Sequence, residues 1–222
     1  MSSEKVHFHY WGAPGRGEQV RLALHVGGFD WEDHAVNFQE YFALKAEKAD
    51  SHPLLNLPYI QVGDELLSES MPLLRYVGAC GNLIPSNPLS QLRMDQALSL
   101  AADFFNVIGF TFALEGEEQV KARAELCAGP DGKLYQWAQK VAKFVILGGD
   151  EFLCGSDLSV GDIALFVNTG LSPTFGCPAT LLEDFPRLRA YRARVAAHPK
   201  VASRYGAMKD TDFCFKFASN FK

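Results

Sequence analysis

Between Gly81 and Ser90 the chain runs Gly81-Asn82-Leu83-Ile84-Pro85-Ser86-Asn87-Pro88-Leu89-Ser90, a concentration of Gly, Asn, Pro and Ser that breaks helix and strand alike. The hydrophobic period changes across it, and that change constrains the fold more than any other feature. Upstream, Val6, Phe8 and Tyr10 alternate with Lys5, His7 and His9, the pattern of a half-buried strand. Trp11-Gly12-Ala13-Pro14-Gly15 then turns the chain, and Val20, Ala23, Leu24 and Gly27 recur at helical spacing until Gly27-Gly28 stops them. A second strand is predicted over 31–37, a short charged helix over 38–48, a hairpin about Gly63-Asp64 and a helix over 70–79. The order is β-α-β-α-β-β-α. Downstream nothing alternates with period two, and helices are predicted over 92–112, 133–147, 160–171 and 188–197. The fold class is therefore α+β in residues 1–81, a linker over 82–90, and an all-α unit over 91–222.

A chain of 222 residues that is 48% hydrophobic and 21% charged can bury a conventional core. Its net charge of −5, with Lys and Arg scattered, gives no footprint for a phosphate backbone, so no nucleic-acid partner is expected. No apolar run is long enough to predict a membrane span. The five cysteines (Cys80, Cys127, Cys154, Cys177, Cys214) are odd in number and widely spaced, so free thiols are expected. No Cys/His spacing calls for a metal. The opening Met1-Ser2-Ser3-Glu4-Lys5 lacks the apolar core of a signal peptide, and a cytoplasmic location follows as the expectation.

Three local features could carry chemistry. Gly12-Ala13-Pro14-Gly15-Arg16-Gly17 lies between a strand and a helix, with Glu32 and Asp33 further on, as in a dinucleotide site. Against that, the glycines fall as GxxGxG and Pro14 removes a backbone donor. A loop shaped by Gly and Pro is the alternative. Pro58 enters a strand after Asn56-Leu57, where a cis bond would leave the Leu57 main chain to a ligand, or where an ordinary turn proline would serve. Ser68-Glu69-Ser70 opens a helix: Ser70 can cap it, and the helix N-terminus beside the Glu69 carboxylate complements an amino acid's carboxylate and amine.

In this order these motifs resemble the glutathione transferase family, over essentially the whole chain. Tyr10-Trp11-Gly12-Ala13-Pro14-Gly15-Arg16-Gly17-Glu18-Gln19-Val20-Arg21 is similar to the signature of the tyrosine classes, nearest sigma, with mu, alpha and pi as alternatives. Asn56-Leu57-Pro58-Tyr59-Ile60 and Ser68-Glu69-Ser70 look like its Leu-Pro hairpin and Gln/Glu-Ser motif. Gly155 to Ala164 resembles its buried capping box, with Ser159 and Asp162 tying off a core helix, and Phe185-Pro186-Arg187-Leu188 and His198-Pro199-Lys200-Val201 match its late helix.

The resemblance implies a thioredoxin-like N-terminal domain followed by a helical one, with glutathione as co-substrate and no metal requirement. It implies that Tyr10 donates a hydrogen bond to the glutathione sulfur and that Arg16 adds positive charge beside it. Leu57 would pair its main chain with the cysteinyl portion, presented by cis-Pro58. Glu69 and Ser70 would hold the γ-glutamyl end, and Asp103 would reach the γ-glutamyl amine of the other subunit of a homodimer. Lys45 would meet the glycyl carboxylate, and Tyr41 stands where sigma members carry a tryptophan at that end.

An apolar electrophile is expected between Trp11 and Gly12 and the stripe Phe104, Phe105, Ile108 and Phe112, part of which is core by spacing alone. Serine and cysteine classes use positions held here by Gly12, Ala13 and Pro14, which leaves Tyr10 as the activating residue. Two further features stay open. The segment 46–55, longer than in sigma members, offers Leu54 or Leu55 as a key for a partner subunit or forms a surface insertion. The aromatic tail from Phe213 through Cys214, Phe215, Lys216 and Phe217 to Phe221 reads as a lid or a terminal anchor. Within the same fold a glutathione-dependent isomerase or peroxidase is an alternative, and outside catalysis a crystallin-like or ligand-carrying protein.

Overall fold

The computed structural model describes residues 4–147, 151–171, 175, 179–208 and 221. Strand β1 (Val6–Tyr10) leads through helix α1 (Gly15–Gly27) to β2 (Trp31–Ala35), and α2 (Phe38–Glu47) follows. The hairpin β3 (Tyr59–Val62) and β4 (Glu65–Ser68) then runs into α3 (Ser70–Cys80). The sheet order is β2-β1-β3-β4, with β1 parallel to β2 and the remaining pairs antiparallel. Parallel pairing demands a crossover, and α1 supplies it. The alternation in β1 does what its period requires: Val6, Phe8 and Tyr10 are buried, and His7 and His9 face the other way, half-covered. On that outer face His9 stacks between His34 at 4.7 Å and Tyr59 at 4.4 Å, and burial lowers its pKa to about 4, so its ring is neutral.

Helix α2 starts on a capping box, in which Asn37 accepts from the Glu40 N–H at 2.9 Å and the Asn37 N–H donates to the Glu40 carboxylate at 3.3 Å. Helix α4 (Pro88–Ile108) begins inside the stretch expected as a linker, because Asn87 caps it with Pro88 in its first turn. It ends four residues before Phe112, in a 3₁₀ turn over Gly109–Ala113. Together Pro88–Ala113 is long and apolar enough to cross a bilayer by length and composition. Met94, Ala97, Leu98, Ala101, Phe104, Phe105 and Ile108 are instead buried, and α4 packs as the central core helix.

Around it stand α5 (Gly116–Cys127), α6 (Lys133–Ile146), α7 (Val160–Leu171), α8 (Pro186–Ala197) and α9 (Pro199–Gly206). Helix α5 was not expected: its faces are polar except near the end, where Leu126 and Cys127 are buried, so periodicity hardly marks it. Helix α7 is buried along its whole length and α4 packs against it.

The start of α7 rests on one carboxylate. Asp162, fully buried, accepts from the Leu153 N–H and the Ser159 N–H at 2.9 Å each, and from the Ser159 and Tyr191 hydroxyls at 2.6 Å each. Burial raises the Asp162 pKa, and the donated bonds pull it back. The same carboxylate and burial hold the Tyr191 phenol protonated, as the donor it must be.

Cys127 takes part in a disulfide, which corrects the expectation of a free thiol there. Sequence separation says nothing about which thiols folding brings within bonding distance. Cys80 and Cys154 are free, and Cys177 and Cys214 lie outside the described residues. So do Phe213, Phe215, Lys216 and Phe217, but Phe221 is buried and stacks on Tyr205 at 4.8 Å, as an anchor would.

Replacing Asp162 by Ala strands two backbone donors and two hydroxyls in the core. A loss of about 3 kcal/mol or more is expected in urea unfolding, with Asp162→Asn intermediate because its amide oxygen still accepts.

Candidate functional site

Tyr10 ends β1 with its ring buried against the turn that follows. The Arg16 N–H donates to its hydroxyl oxygen at 3.1 Å. A Cβ at Gly15 would lie 2.6 Å from that hydroxyl oxygen, and a Cβ at Gly17 would lie 2.4 Å from the ring. Gly15 also sits at φ +39°. The glycines therefore make room for a phenol, where a dinucleotide loop would use them to approach a phosphate. Burial is the main influence on the phenol and raises its pKa, while the Arg16 N–H and the charges of Arg21 and Arg16 oppose that. The phenol is thus protonated at neutral pH. With its oxygen accepting from a backbone amide, its proton is free to be donated.

Arg21, absent from the functional candidates read from the sequence, holds this loop in place. Its side chain is fully buried and donates to Asp33 at 2.7 Å, to the Ala13 carbonyl at 2.9 Å and to the Trp11 carbonyl at 3.2 Å. Its guanidinium also lies over the rings of Phe8 at 5.0 Å and Tyr10 at 5.7 Å. Asp33, noted above with Glu32 in the comparison with a dinucleotide site, is the partner of this arginine. The only sequence signal for Arg21 was its place in the signature.

Arg16 projects the other way. Its guanidinium lies 4.5 Å above the ring of Phe105, and burial lowers its pKa while the Tyr10 and Glu69 charges oppose that. It remains a cation at neutral pH, between the Tyr10 loop and α4.

Beside it, Glu69 holds φ 70° and ψ 110° at the N-cap of α3, a left-handed conformation that costs a non-glycine residue about 1–3 kcal/mol. Ser70 is the first residue of α3, so it does not cap the helix as expected, and no side-chain cap bond closes that end. The helix N-terminus and the buried Ser70 together keep the character of an anion site.

The Leu57–Pro58 bond is cis. Pairing of β3 with β1 stops at Tyr59, so half-buried Leu57 lies beyond the ladder.

Asn56, which had no assigned role, ties the neighbouring side chains together. Its Oδ1 accepts from Lys45 at 2.7 Å and from the Tyr41 hydroxyl at 3.2 Å, and its Nδ2 donates to Glu69 at 3.2 Å. Lys45 also reaches the Tyr41 hydroxyl at 3.4 Å. Lys45, Tyr41, Asn56 and Glu69 thus form a hydrogen-bonded polar band, and the Glu69 charge acts on Arg16 at its end.

The expected apolar wall divides. Trp11 stacks on Phe38 at 4.6 Å and meets Tyr41 edge-on at 5.5 Å, on the α2 side. Phe104 and Ile108 are core, and Phe104 packs on Trp137 at 5.0 Å. Phe105 lies under Arg16, Gly12 is exposed, and Asp103 is exposed on α4. In the loop after α2, Leu55 is buried within the chain and Leu54 is 68% exposed, which leaves Leu54 as the free apolar side chain.

Gly17→Ala forces a methyl into the Tyr10 ring. A loss of about 1–3 kcal/mol is expected in chemical unfolding, together with a changed Tyr10 environment in near-ultraviolet dichroism.

Two family models match this chain: Glutathione S-transferase, N-terminal domain, over residues 6–79, and Glutathione S-transferase, C-terminal domain, over residues 102–205. Glutathione S-transferase A4 of Mus musculus is 24% identical over 198 residues, which is 89% of this chain and 86% of its own length. S-crystallin SL11 of Nototodarus sloanii is 23% identical over 208 residues, 92% of this chain and 97% of its own. In three dimensions, prostaglandin synthase D of Nilaparvata lugens superposes with a TM-score of 0.76 at 20% identity, over 92% of this chain and 98% of that one, a likeness of fold. A βαβ unit joined to an antiparallel hairpin, followed by a helical bundle, with Tyr10 packed on its glycine turn and two matching domain models, is one pattern: this chain belongs to the glutathione S-transferase family.

Proposed function

We propose that the protein is a glutathione transferase in which the Tyr10 phenol, keeping its proton, donates a hydrogen bond to the glutathione sulfur, so that the thiol gives up its own proton to solvent and the stabilised thiolate attacks an apolar electrophile. The observation that carries this is the phenol itself: buried, protonated, and accepting from the Arg16 N–H at 3.1 Å, so that its remaining hydrogen-bonding capacity is a donor. A thiol is mostly protonated at neutral pH, and only the thiolate is a strong nucleophile. A preorganised donor favours the charged form and lowers the thiol pKa, and the Arg16 cation works in the same direction. The electron pair on sulfur forms the new bond to carbon, and the electrophile's leaving group departs with the displaced pair.

Glutathione is an elongated anion with an amino-acid head, and the polar band offers it complementary groups. In this reading the α3 N-terminus with Ser70 takes the γ-glutamyl carboxylate, and Glu69 takes the amine. The Leu57 main chain, beside Pro58, pairs with the cysteinyl peptide, and Lys45 with Tyr41 meets the glycyl carboxylate. Asp103, exposed on α4, is assigned to the amine of glutathione in the partner subunit of a homodimer.

In this reading residues 1–81 are the glutathione-binding unit and the helical part, joined through the 82–90 stretch in which α4 already begins, supplies the other wall of the electrophile site, with the protein acting in the cytoplasm. The electrophile is assigned to Trp11, Gly12 and the stripe of Phe104, Phe105 and Ile108; all three stripe residues are buried in the chain, and Phe105 is the one whose ring faces the Arg16 guanidinium. Tyr10, Arg16, Glu69 and Ser70 are all present, an assembly that a purely structural or carrier protein has no need to keep.

One hydrogen bond to a charged acceptor contributes about 1.5–3 kcal/mol, or about one to two pKa units. In Tyr10→Phe the acidic limb of the kcat/KM profile with an aromatic halide should therefore move to higher pH by that amount. The thiolate absorbance of bound glutathione should vanish at neutral pH. Binding without ionisation in the wild type would sink the catalytic reading, and faster turnover of a prostaglandin endoperoxide or a hydroperoxide than of the halide would favour the isomerase or peroxidase. Asp103→Ala should raise the KM for glutathione by roughly 10-fold or more while leaving kcat close to the wild type.

A further inference from the structure

Three of the chain's six histidines gather on the outer face of the sheet, the side of β1 opposite the buried Val6, Phe8 and Tyr10. The parallel register sets His7 beside Glu32 and His9 beside His34. Side chains two apart on a strand share a face, so one His–X–His run and one Glu–X–His run lie side by side. The ligand atoms of His7, Glu32 and His34 all fall within 4.8 Å of one another, and His7 Nδ1 is 3.0 Å from His34 Nε2. His7 and His34 are half-buried and Glu32 is exposed.

From this juxtaposition we propose that His7, His34 and Glu32 bind a divalent first-row transition ion, of which zinc is the representative, bridging β1 and β2 on a face the thiol chemistry does not use. Bonds of ~2.0–2.1 Å from nitrogen to a tetrahedral zinc place two ligand nitrogens roughly 3.3 Å apart. The two imidazoles therefore need to part by only a few tenths of an ångström, and an exposed glutamate needs one rotamer change. Two imidazoles and one carboxylate suit zinc, copper or nickel and are the wrong ligands for calcium or magnesium, which take oxygen donors. Water completes the shell on the solvent side.

Two neighbours bear on the site. Lys5 pairs with Glu32 at 3.0 Å, with both side chains close to half exposed, and a surface pair of this kind yields readily to a cation held by three ligands. His9 stacks on His34 at 4.7 Å and packs against that ring from one side, and its own Nε2 is buried with no hydrogen-bond partner among the described residues. No short-range spacing announces the cluster, because its members come from strands twenty-five positions apart that only parallel pairing brings together.

The test uses the full chain, stripped with a chelator and with every free thiol alkylated so that thiols do not compete. Calorimetric titration with zinc should give one saturable site per chain. His7→Gln and His34→Gln should each weaken it by about 10-fold or more, since losing a ligand costs at least what losing its supporting group does, and Glu32→Gln should weaken it less. Copper added to the wild type should give a paramagnetic resonance spectrum with coupling from two imidazole nitrogens, a readout that holds even if a histidine variant folds poorly. No saturable zinc uptake, uptake unchanged in His7→Gln and His34→Gln, or a copper spectrum without nitrogen coupling would overturn the site. The two histidines would then be a hydrogen-bonded pair within the sheet and nothing more.

Discussion

A buried guanidinium holds the candidate site of this molecule together. Arg21 has no exposed surface, and a charge taken wholly out of water is tolerated only with its hydrogen bonds met. Asp33 at the end of the β1–α1–β2 unit meets one, and the carbonyls of Trp11 and Ala13 meet others. To satisfy Arg21, the turn after β1 must close on α1 in one particular way. That closure aims the Arg16 N–H at the Tyr10 hydroxyl and sets Gly15 and Gly17 against the phenol ring. The catalytic proposal for Tyr10 rests on this frame, because a donor contributes to thiolate stabilisation only when its direction is settled in advance.

Other residues of the same helix fasten the two halves of the chain to each other. Gln19 donates to Asn168 on α7 at 2.7 Å, and Asn168 donates to the Ala101 carbonyl on α4 at 2.7 Å. Glu18, fully buried, accepts from the Tyr205 hydroxyl at 3.2 Å and lies 3.6 Å from Arg204 on α9. Lys200 donates to the Val26 carbonyl at 2.8 Å, at the end of α1. Helix α1 is thus polar where a two-layer fold would normally be greasy, and its polar residues are spent on partners far away in sequence. This is why its hydrophobic pattern is weak although it is among the most buried helices in the fold. It also explains how Arg16 comes to lie over Phe105: α1 and α4 are held in register by the same bonds.

How much of this was legible in advance varies with the range of the interaction. The strand–turn–helix at the start, the hairpin, and α7 at Val160–Leu171 were visible because alternation, helical spacing and turn residues act within a few positions. Helix α5 escaped because a largely exposed helix leaves little apolar trace, and the start of α4 was displaced because the prolines that broke the pattern are good first-turn residues. At the candidate site, Tyr10, Arg16, Glu69 and Ser70 stood out through resemblance to a family. Asn56 and Arg21 did not, because each acts by touching residues from at least two other segments. Ser70 was expected to cap α3, but the backbone of Glu69 turns left-handed and puts Ser70 inside the helix.

By itself the sequence determined the class of fold and the residue types available for thiol chemistry, since periodicity and turn propensity are properties of neighbouring positions, and its motifs in their order pointed by resemblance to the family. Tertiary structure decided the rest. It turned Phe104 and Ile108 into core and left Phe105 beneath Arg16, chose Asp33 as the partner of Arg21, and joined Lys45 to Glu69 through Asn56. It put Cys127 into a disulfide and brought His7, Glu32 and His34 to one face of the sheet. The physical reason is the same in each case: a side chain's environment is set by what packs against it, and those partners come from segments whose separation along the chain carries no information about their distance in space.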